Sequence, residues 1–543
     1  LRLRLSGYGG QVRPGGRSTP DRTRPPERGS PRGCDLAALL LVIALLVPVG
    51  LLNRGLATDD AYITYRYAQN LIRGEGFVYN PGERHLGTTS PLLALLLSAV
   101  GRAYPDLPFW GSALSILSLG AAAFFSYLIL SRASATPAGF LALPLIVLNP
   151  VLIESLGNET CLLLALIAGQ YYFYQSGRRK TFAVLAALSA LARGEGVILP
   201  LLLFWFDFLR QARERRWDLR PLLVFAAVLL PWLLFSRLYF GSFLPSTLSV
   251  KMAMARLPHS PWTPFFRDVM ENLPGRFGPH GKGFAVLYLL FLAGAAGALA
   301  DRRFVPFLLF FLAYYLGYGL LRVGSFPWYH APVAFALSFF AAFGVQVLSA
   351  WGGRLRERGD PLSSLLGTWL LHPPPDFRSE SAFSARPRWP IFFPLGLILL
   401  ASILQRGFAF SNPRIAPYRE AGIWLRENAP AEATVGIPEV GIVGFYAERR
   451  MLDIDGLVFP AMADPARLHS YQCLIRNYRP DYIISQGKSP YHLVRAGEVH
   501  PGVKNLPFRY LAAKQFRSPD LQVTIWKREP YNCPIGDSIG DAI

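Results

Sequence analysis

Residues 35–67 read DLAALLLVIALLVPVGLLNRGLATDDAYITYRY, and this stretch decides the fold. Its first part, 35–52, carries no charge after Asp35, and a helix needs about 20 apolar residues to cross the hydrocarbon core of a bilayer. Two adjacent carboxylates, Asp59 and Asp60, follow soon afterwards. The stretch therefore predicts a first membrane span that ends close to an acidic pair at the membrane surface.

Apolar runs of this kind recur through the chain. The sequence is 52% hydrophobic and only 17% charged, whereas soluble domains contain about 25% charged residues. The runs predict a mainly α, polytopic transmembrane helical bundle of about 11 spans. The predicted spans are 35–52, 109–130, 138–153, 158–175, 181–193, 196–210, 220–239, 283–300, 304–321, 328–350 and 390–408.

The net charge of +20 is distributed among short arginine clusters that lie between the apolar runs. Cytoplasmic loops of membrane proteins carry an excess of Lys and Arg. The clusters at 178–180, 210–220 and 302–303 all fall on one predicted side, and the turns at 154–157 and 194–195 hold neither residue. We expect a bacterial inner-membrane protein with a cytoplasmic N-terminus. No basic domain with stacking aromatic residues is present, which argues against a nucleic-acid partner.

This orientation requires that the apolar segment 88–104 does not cross the membrane. The segment is short and is interrupted by Gly101 and Pro105. We therefore predict that it lies along the outer membrane surface. If it crossed, every later arginine cluster would change sides.

The domain organisation follows from the same map. Residues 1–34 are rich in Arg, Gly and Pro and are predicted to be disordered. Residues 35–408 form the membrane domain, with outer loops at 53–108 and 240–282. Residues 409–543 alternate helix and strand patterns, which predicts a soluble α/β domain on the outer side. That domain contains Cys473 and Cys533, for which a disulfide and two unpaired thiols are both open.

The acidic pair has a chemical and a structural interpretation. A carboxylate within hydrogen-bond reach of an acceptor hydroxyl can act as a general base in glycosyl transfer. An acidic pair can also bind a divalent cation, so metal use stays open. Alternatively, Thr58, Asp59 and Asp60 supply a helix N-cap for the segment that follows them.

The run DDAYITYRYAQNLIRGEGFVYNPGERHLGTTSPL, residues 59–92, resembles the first outer loop of bacterial GT-C glycosyltransferases. It is most similar to the branch of the actinobacterial arabinofuranosyltransferases, and more distantly to protein O-mannosyltransferases and lipid A aminoarabinose transferases. The resemblance implies that Asp59 is the catalytic base, with Asp60 as the second candidate. It also implies substrate-binding roles in this loop for Tyr62, Arg66, Glu83, Arg84 and His85.

Four later segments extend the resemblance. They are LGNET with Glu159, LARGEG with Arg193 and Glu195, YFGSFLPST followed by Lys251, and PWY with Trp328 and Tyr329. In the second segment Ala192 and Gly194 replace the Thr and Pro of the family pattern. The resemblance implies substrate-binding roles for the six named residues.

Each of these residues also has a structural interpretation. Arg193 and Lys251 could hold a lipid-linked phosphate or extend to the membrane interface. Glu159 and Glu195 would face a cavity or pair internally, Glu195 with Arg193 for example. Trp328 and Tyr329 suit a sugar platform and an interfacial anchor equally well.

The function predicted from the sequence is inverting sugar transfer from a polyprenyl-phosphate donor to a cell-envelope glycan, lipid or protein. A flippase or transporter of lipid-linked sugars is the alternative, although the paired repeats typical of transporters are not evident. A third possibility is a membrane-anchored binding module whose activity lies in the soluble domain. In that domain Asp453 and Asp455 are predicted to end a strand and shape a turn.

Overall fold

The computed structural model of the chain describes residues 32–133, 136–256, 264–277, 282–358, 412–463, 470–486, 494–495, 498–499, 508–519 and 521–530. These residues form a helical bundle and, after residue 412, a smaller α/β domain. The bundle helices are α1 (Arg32–Leu52), α2 (Asp59–Arg73), α3 (Pro91–Gly101), α4 (Leu107–Arg132), α5 (Thr136–Val147), α6 (Pro150–Glu154), α7 (Thr160–Gln175), α8 (Arg179–Ala192), α9 (Ile198–Glu214), α10 (Arg220–Phe240), α11 (Thr247–Met254), α12 (Phe265–Glu271), α13 (Lys282–Ala300), α14 (Val305–Leu320) and α15 (Ala331–Arg358).

Five of the described helical segments are long and apolar enough to cross a membrane. They are Gly33–Leu52, Leu107–Arg132, Arg220–Phe240, Gly283–Ala300 and Pro327–Trp351. Three shorter apolar helices accompany them, namely α3, α5 and α14. The predicted span 390–408 lies outside the described residues, so the count of about 11 spans stays a prediction.

The predicted span 138–153 is wrong as one helix. Helix α5 ends at Val147, and α6 begins at Pro150. Proline cannot donate the hydrogen bond that would continue α5, and its ring clashes with the preceding turn. The side chain of Asn149 accepts hydrogen bonds from the backbone N–H groups of Val151 and Leu152, so it caps the new helix instead.

The segment 88–104 forms the short helix α3. Its N-terminus is capped by Ser90, whose Oγ accepts the N–H of Leu93, and Pro91 occupies the first turn. A helix of 11 residues is about 16 Å long, roughly half the hydrocarbon thickness of a bilayer. Helix α3 is therefore too short to cross, and its placement along the membrane surface stays a prediction.

Among the described residues, the α/β domain contains a five-stranded mixed sheet and a separate antiparallel pair, β4 with β5. In the five-stranded sheet, the strand order is β2-β1-β3-β7-β6, with β1 parallel to β2 and β3, and β7 antiparallel to β3 and β6. The strands are β1 (Thr434–Ile437), β2 (Arg450–Asp453), β3 (Tyr482–Gln486), β4 (Val494–Arg495), β5 (Glu498–Val499), β6 (Phe508–Arg517) and β7 (Gln522–Pro530). The domain's helices are α16 (Ile415–Asn428), α17 (Gly441–Ala447) and α18 (Tyr471–Tyr478). As predicted, Asp453 ends β2, and its carboxylate accepts the N–H groups of Asp455, Leu457 and Val458 in the following turn.

The α/β domain packs directly on the first outer loop. One hydrophobic cluster includes Ala61 and Tyr65 of α2 together with Val435 and Val443 of the α/β domain. Burial of such apolar surface is the main force that holds two packed elements together. The first outer loop therefore lies between the bundle and the α/β domain.

Candidate active site

A small polar cavity lies beneath the α/β domain, where α2, α11 and several bundle turns meet. Its volume is about 20 Å³, which is room for roughly one water molecule. Six residues singled out in the sequence line it: Asp60, Glu159, Arg193, Lys251, Trp328 and Tyr329. Residues far apart in sequence are thus brought together at the end of the bundle that the α/β domain covers.

Asp60 and Lys251 form an ion pair at the cavity wall. The Lys251 Nζ lies 2.7 Å from Asp60 Oδ2, and the lysine side chain is almost fully buried, whereas the aspartate is 30% exposed. Burial by itself would lower the pKa of Lys251, but the nearby Asp60 carboxylate and Tyr329 more than offset this and raise it. The lysine is therefore held in its charged form beside the carboxylate.

Asp59 points away from this cavity. Its two carboxylate oxygens accept the backbone N–H groups of Gly441 and Ile442, each at 2.8 Å, at the start of α17. Burial, followed by the negative charge of Glu439, raises the pKa of Asp59 to about 7, against the effect of the two N–H donors. The first choice for a base from the sequence thus contacts the α/β domain.

The capping interpretation of the acidic pair is wrong. Thr58 occupies the N-cap position of α2, but no side chain makes a capping hydrogen bond there. Asp59 instead binds N–H groups of a different helix, and Asp60 binds Lys251. The two carboxylates of the pair therefore contact different parts of the protein.

Arg193 is the centre of a buried ionic network behind the cavity. Its Nη1 lies 2.6 Å from Glu159, its Nε lies 2.6 Å from Glu195, and its Nη2 donates to the hydroxyl of Tyr318 at 3.2 Å. Glu159 also accepts a hydrogen bond from Thr89 Oγ1. Buried charges are stable only when they are paired in this way. Arg193 is therefore buried inside the protein and held by this network.

Aromatic side chains form another wall of the cavity. Trp328 and Tyr329 lie in a 3₁₀ turn, Pro327–Tyr329, and Tyr329 is buried. The Lys251 Nζ is 4.2 Å from the ring centre of Phe326 and 5.5 Å from those of Trp328 and Tyr329. These rings surround the cation and restrict it to the direction of Asp60.

Six predicted binding residues lie outside the cavity lining. They are Tyr62, Arg66, Glu83, Arg84, His85 and Glu195. Tyr62 packs on Phe445 of the α/β domain, and Glu83 pairs with Arg450 at 2.6 Å. Most of these positions in the first outer loop therefore contribute to packing or to contacts with the α/β domain.

The remaining members of this group also make internal contacts. Arg66 donates to Gln69 at 2.8 Å, and the Arg84 guanidinium lies 4.7 Å from the ring centre of Tyr239. His85 Nε2 lies 2.9 Å from Ser246 Oγ and 3.2 Å from the backbone oxygen of Leu457. Burial lowers the pKa of His85, which favours the neutral imidazole.

The sequence interpretation missed the uncharged residues that line the cavity. These are Thr58, Ile63, Thr64, Gly87, Thr88, Thr89, Asn158, Thr247 and Leu457. The Gly-Thr-Thr-Ser run at 87–90 and the Asn beside Glu159 are the signals that could have identified most of the polar ones. Leu457 shows that the α/β domain reaches the cavity directly.

Within the described residues, no group of three or more His, Cys, Asp or Glu side chains is placed to hold a metal ion. The separation of Asp59 from Asp60 gives the reason at this site, because their carboxylates bind different partners. Cys34, Cys161 and Cys473 are free thiols, and Cys533 lies outside the described residues.

Comparison with known proteins gives the fold context. The structure matches ArnT from Cupriavidus metallidurans bound to undecaprenyl phosphate, with a TM-score of 0.57 and 14% identity over 91% of this chain and 98% of that one. The apo form of the same protein gives 0.54 at the same identity and coverage. The match shows that the chain has a GT-C-like fold with a small C-terminal sheet domain.

Other comparisons are more limited. The Archaeoglobus fulgidus oligosaccharyltransferase, solved with a tethered acceptor peptide containing the NVT sequon, gives a TM-score of 0.48 at 14% identity over 83% of this chain and 69% of that one. It is too dissimilar to support an argument. The family described as "Domain of unknown function (DUF8728)" matches residues 411–528. No curated protein matches the chain.

Proposed function

We propose that this chain is an integral-membrane, inverting glycosyltransferase that moves a sugar from a polyprenyl-phosphate donor to a cell-envelope glycan, lipid or protein. The Asp60–Lys251 ion pair inside a hydroxyl-rich cavity is the observation that carries the proposal. It places a base and a phosphate-binding cation side by side. The GT-C-like fold is shared with a protein that was solved with undecaprenyl phosphate bound, which supports a lipid-linked donor.

Asp60 is the base in this proposal, in place of Asp59. Asp60 lines the cavity, is partly exposed and has one cationic partner. Both oxygens of Asp59, in contrast, accept hydrogen bonds from Gly441 and Ile442. A base must reach the proton that it removes, so geometry favours Asp60.

The reaction is a single displacement at the anomeric carbon. The donor phosphate attracts Lys251, which leaves Asp60 and binds a phosphate oxygen. Asp60 then takes the proton of the acceptor hydroxyl as the hydroxyl oxygen bonds to the anomeric carbon. The bond from that carbon to the phosphate oxygen breaks, and its electron pair stays on the phosphate, stabilised by Lys251. The configuration at the anomeric carbon inverts.

The buried network behind the cavity keeps these groups in place. Arg193 is bound by Glu159 and Glu195, so its role is to position Glu159 and the adjoining turn at the cavity wall. The α/β domain contributes Leu457 to the cavity lining. In this proposal the domain faces the outer side of the bacterial inner membrane. From there it contributes to acceptor binding.

Transfer of radiolabelled sugar from a panel of polyprenyl-phosphate donors tests the proposal. The assay uses proteoliposomes that contain the full-length wild type, Asp60→Asn or Asp59→Asn. Loss of a general base costs typically about 10²–10⁴-fold in rate, so we expect that loss in Asp60→Asn. Size-exclusion chromatography in detergent checks that each variant stays folded.

Asp59→Asn is the matched control because it makes the same chemical change at the neighbouring residue. We expect it to retain most of the transfer activity. A large loss in Asp59→Asn with activity kept in Asp60→Asn would return the role of base to Asp59. Movement of lipid-linked sugar across the bilayer, without transfer from any donor, would contradict the enzyme and favour the flippase.

A further inference from the structure

Two buried hydrogen-bond donors at the cavity have no partner among the residues that the structure describes. They are the Nδ2 of Asn158 and the Oγ1 of Thr58. Leaving a buried polar group unpaired is destabilising, so native structures rarely keep such groups without a reason. Both residues line the same cavity, so a ligand group that enters it and draws these side chains toward itself would supply the missing partners.

The orientation of Asn158 is defined by its other amide atom. Its Oδ1 accepts the backbone N–H of Thr160 at 3.0 Å at the start of α7. The residue is only 4% exposed. The Nδ2 must therefore point away from the backbone of α7, and an amide nitrogen can only donate. Its partner has to be an oxygen acceptor.

Thr58 carries a hydroxyl where capping would normally use it. The residue is at the N-cap of α2 in extended conformation, with φ −90° and ψ 162°, yet its side chain makes no capping bond. A threonine hydroxyl both donates and accepts. It is thus available to a group that enters the cavity, which Asn158 also lines.

The ion pairs at the cavity favour an uncharged partner for Asn158 and Thr58, distinct from the phosphate that Lys251 binds. Asp60 is paired with Lys251, and Glu159 and Glu195 are both paired with Arg193, so this network leaves no cation without a carboxylate partner. The space of about 20 Å³ is close to that of one water molecule or one hydroxyl group. A hydroxyl can accept from Asn158 and Thr58 while it donates to a carboxylate, which a phosphate oxygen cannot do.

We infer that Asn158 and Thr58 recognise one hydroxyl group of the donor sugar and thereby set the sugar specificity of the site. This inference rests on the proposed function. A site built to hydrogen-bond a hydroxyl discriminates strongly against analogues that lack it, because its buried polar groups are then left unpaired. Asn158 and Thr58 would therefore select among donor sugars by the hydroxyl group at one ring position.

The experiment combines protein variants with donor analogues. Full-length wild type, Thr58→Val and Thr160→Val are assayed with an active polyprenyl-phosphate sugar and with analogues that lack one hydroxyl each. Thr160 is the matched control, because its buried Oγ1 also has no partner in the described part of the chain but does not line the cavity. In both variants valine replaces an unpaired hydroxyl by a methyl group of similar shape.

We expect Thr58→Val to lower kcat/KM by about 10–100-fold, mainly through KM, whereas Thr160→Val keeps the wild-type value. One deoxy analogue should lower wild-type kcat/KM at least as much. Its further loss in Thr58→Val should be smaller than its loss in the wild type, because one of the two contacts to that hydroxyl is already absent. Asn158→Asp keeps the acceptor for Thr160 and replaces the donor, so it should share this pattern.

Normal kcat/KM in Thr58→Val overturns this inference but leaves the proposed function standing. The two donors would then be paired with trapped water. Equal losses in Thr58→Val and Thr160→Val overturn it as well, because both would reflect packing. Additive losses between Thr58→Val and every deoxy analogue have the same consequence. Absence of transfer by the wild type with every donor overturns the proposed function together with this inference.

Discussion

The first outer loop has two faces that differ in how completely their polar groups are paired. The docking face, which contains Asp59, Tyr79 and Asn80, makes hydrogen bonds with the α/β domain through each of these side chains. The cavity face, which contains Thr58, Asp60 and Thr64, includes one exchangeable ion pair and one unpaired buried hydroxyl. Complete pairing stabilises a fixed contact, whereas incomplete pairing leaves capacity for a ligand. The difference distinguishes residues that hold the α/β domain from residues that line the cavity within one loop.

Replacing one basic side chain at each face should give the largest difference in the rate of sugar transfer. Lys251 lies 2.7 Å from Asp60 on the cavity face, and Arg450 lies 2.6 Å from Glu83 beside the docking face. We expect Lys251→Met to lower transfer by about 10²-fold or more, because a positioned cation no longer stabilises the departing phosphate. We expect Arg450→Met to change transfer by less than about twofold, because exposed ion pairs contribute little.

The rate of sugar transfer at saturating donor, in proteoliposomes with equal amounts of folded protein, checks this pair. Equal losses in the two variants would remove the distinction between the faces. Full activity in Lys251→Met would exclude the proposed phosphate-binding role.

A steric change tests the docking face by itself. A Cβ at Gly441 would overlap the backbone oxygen of Asp59, whereas a Cβ at Gly317 would meet nothing within 4 Å. Gly441→Ala should therefore loosen the α/β domain by about 1–3 kcal/mol, as overpacking commonly does. Gly317→Ala should leave the docked state unchanged.

Hydrogen exchange of α17, followed by mass spectrometry of the protein in detergent, measures this opening. We expect faster exchange in Gly441→Ala and the wild-type rate in Gly317→Ala. Wild-type exchange in Gly441→Ala would show that the contact between α2 and α17 does not hold the domain in place.

The smallest expected effect is a pH dependence of the same contact. The pKa of Asp59 is raised to about 7 by burial and by Glu439, with Asp60 adding to this in the same direction. The folded state therefore binds the proton more tightly than the unfolded state, in which the pKa is near 3.8. The contribution of Asp59 to the free energy of unfolding is therefore complete below pH 3.8, the pKa of the unfolded state. This contribution is lost as the pH rises through about 7, the pKa of the folded state.

Hydrogen exchange of α17 should consequently become faster between pH 5 and pH 8, after correction for the intrinsic rate. Partial solvent screening limits the change to about tenfold or less. Asp59→Asn should show no such increase, because the amide does not titrate. An identical pH profile in the variant would assign the effect to another group.

The mainly helical fold class could be predicted from local sequence. The run 109–130 was predicted as a span, and α4 extends from Leu107 to Arg132, because long apolar stretches satisfy their backbone only as helices in lipid. Predictions for 138–153 failed at Pro150, where a local rule outweighed the apolar pattern. The sequence also singled out Asp60, Arg193 and Lys251, whose charges are costly in lipid unless they face a cavity or a partner.

Only the tertiary structure decided which carboxylate of the acidic pair faces the cavity. Adjacent residues on a helix differ in direction by about 100°, so Asp59 and Asp60 must point to different surroundings. What lies in each direction depends on α17 and α11, which are distant in sequence. The unpaired donors of Asn158 and Thr58 are hidden from the sequence for the same reason, since pairing is a property of the assembled neighbours. Local sequence determined the helices and the acidic pair, and long-range packing determined the partner of each carboxylate.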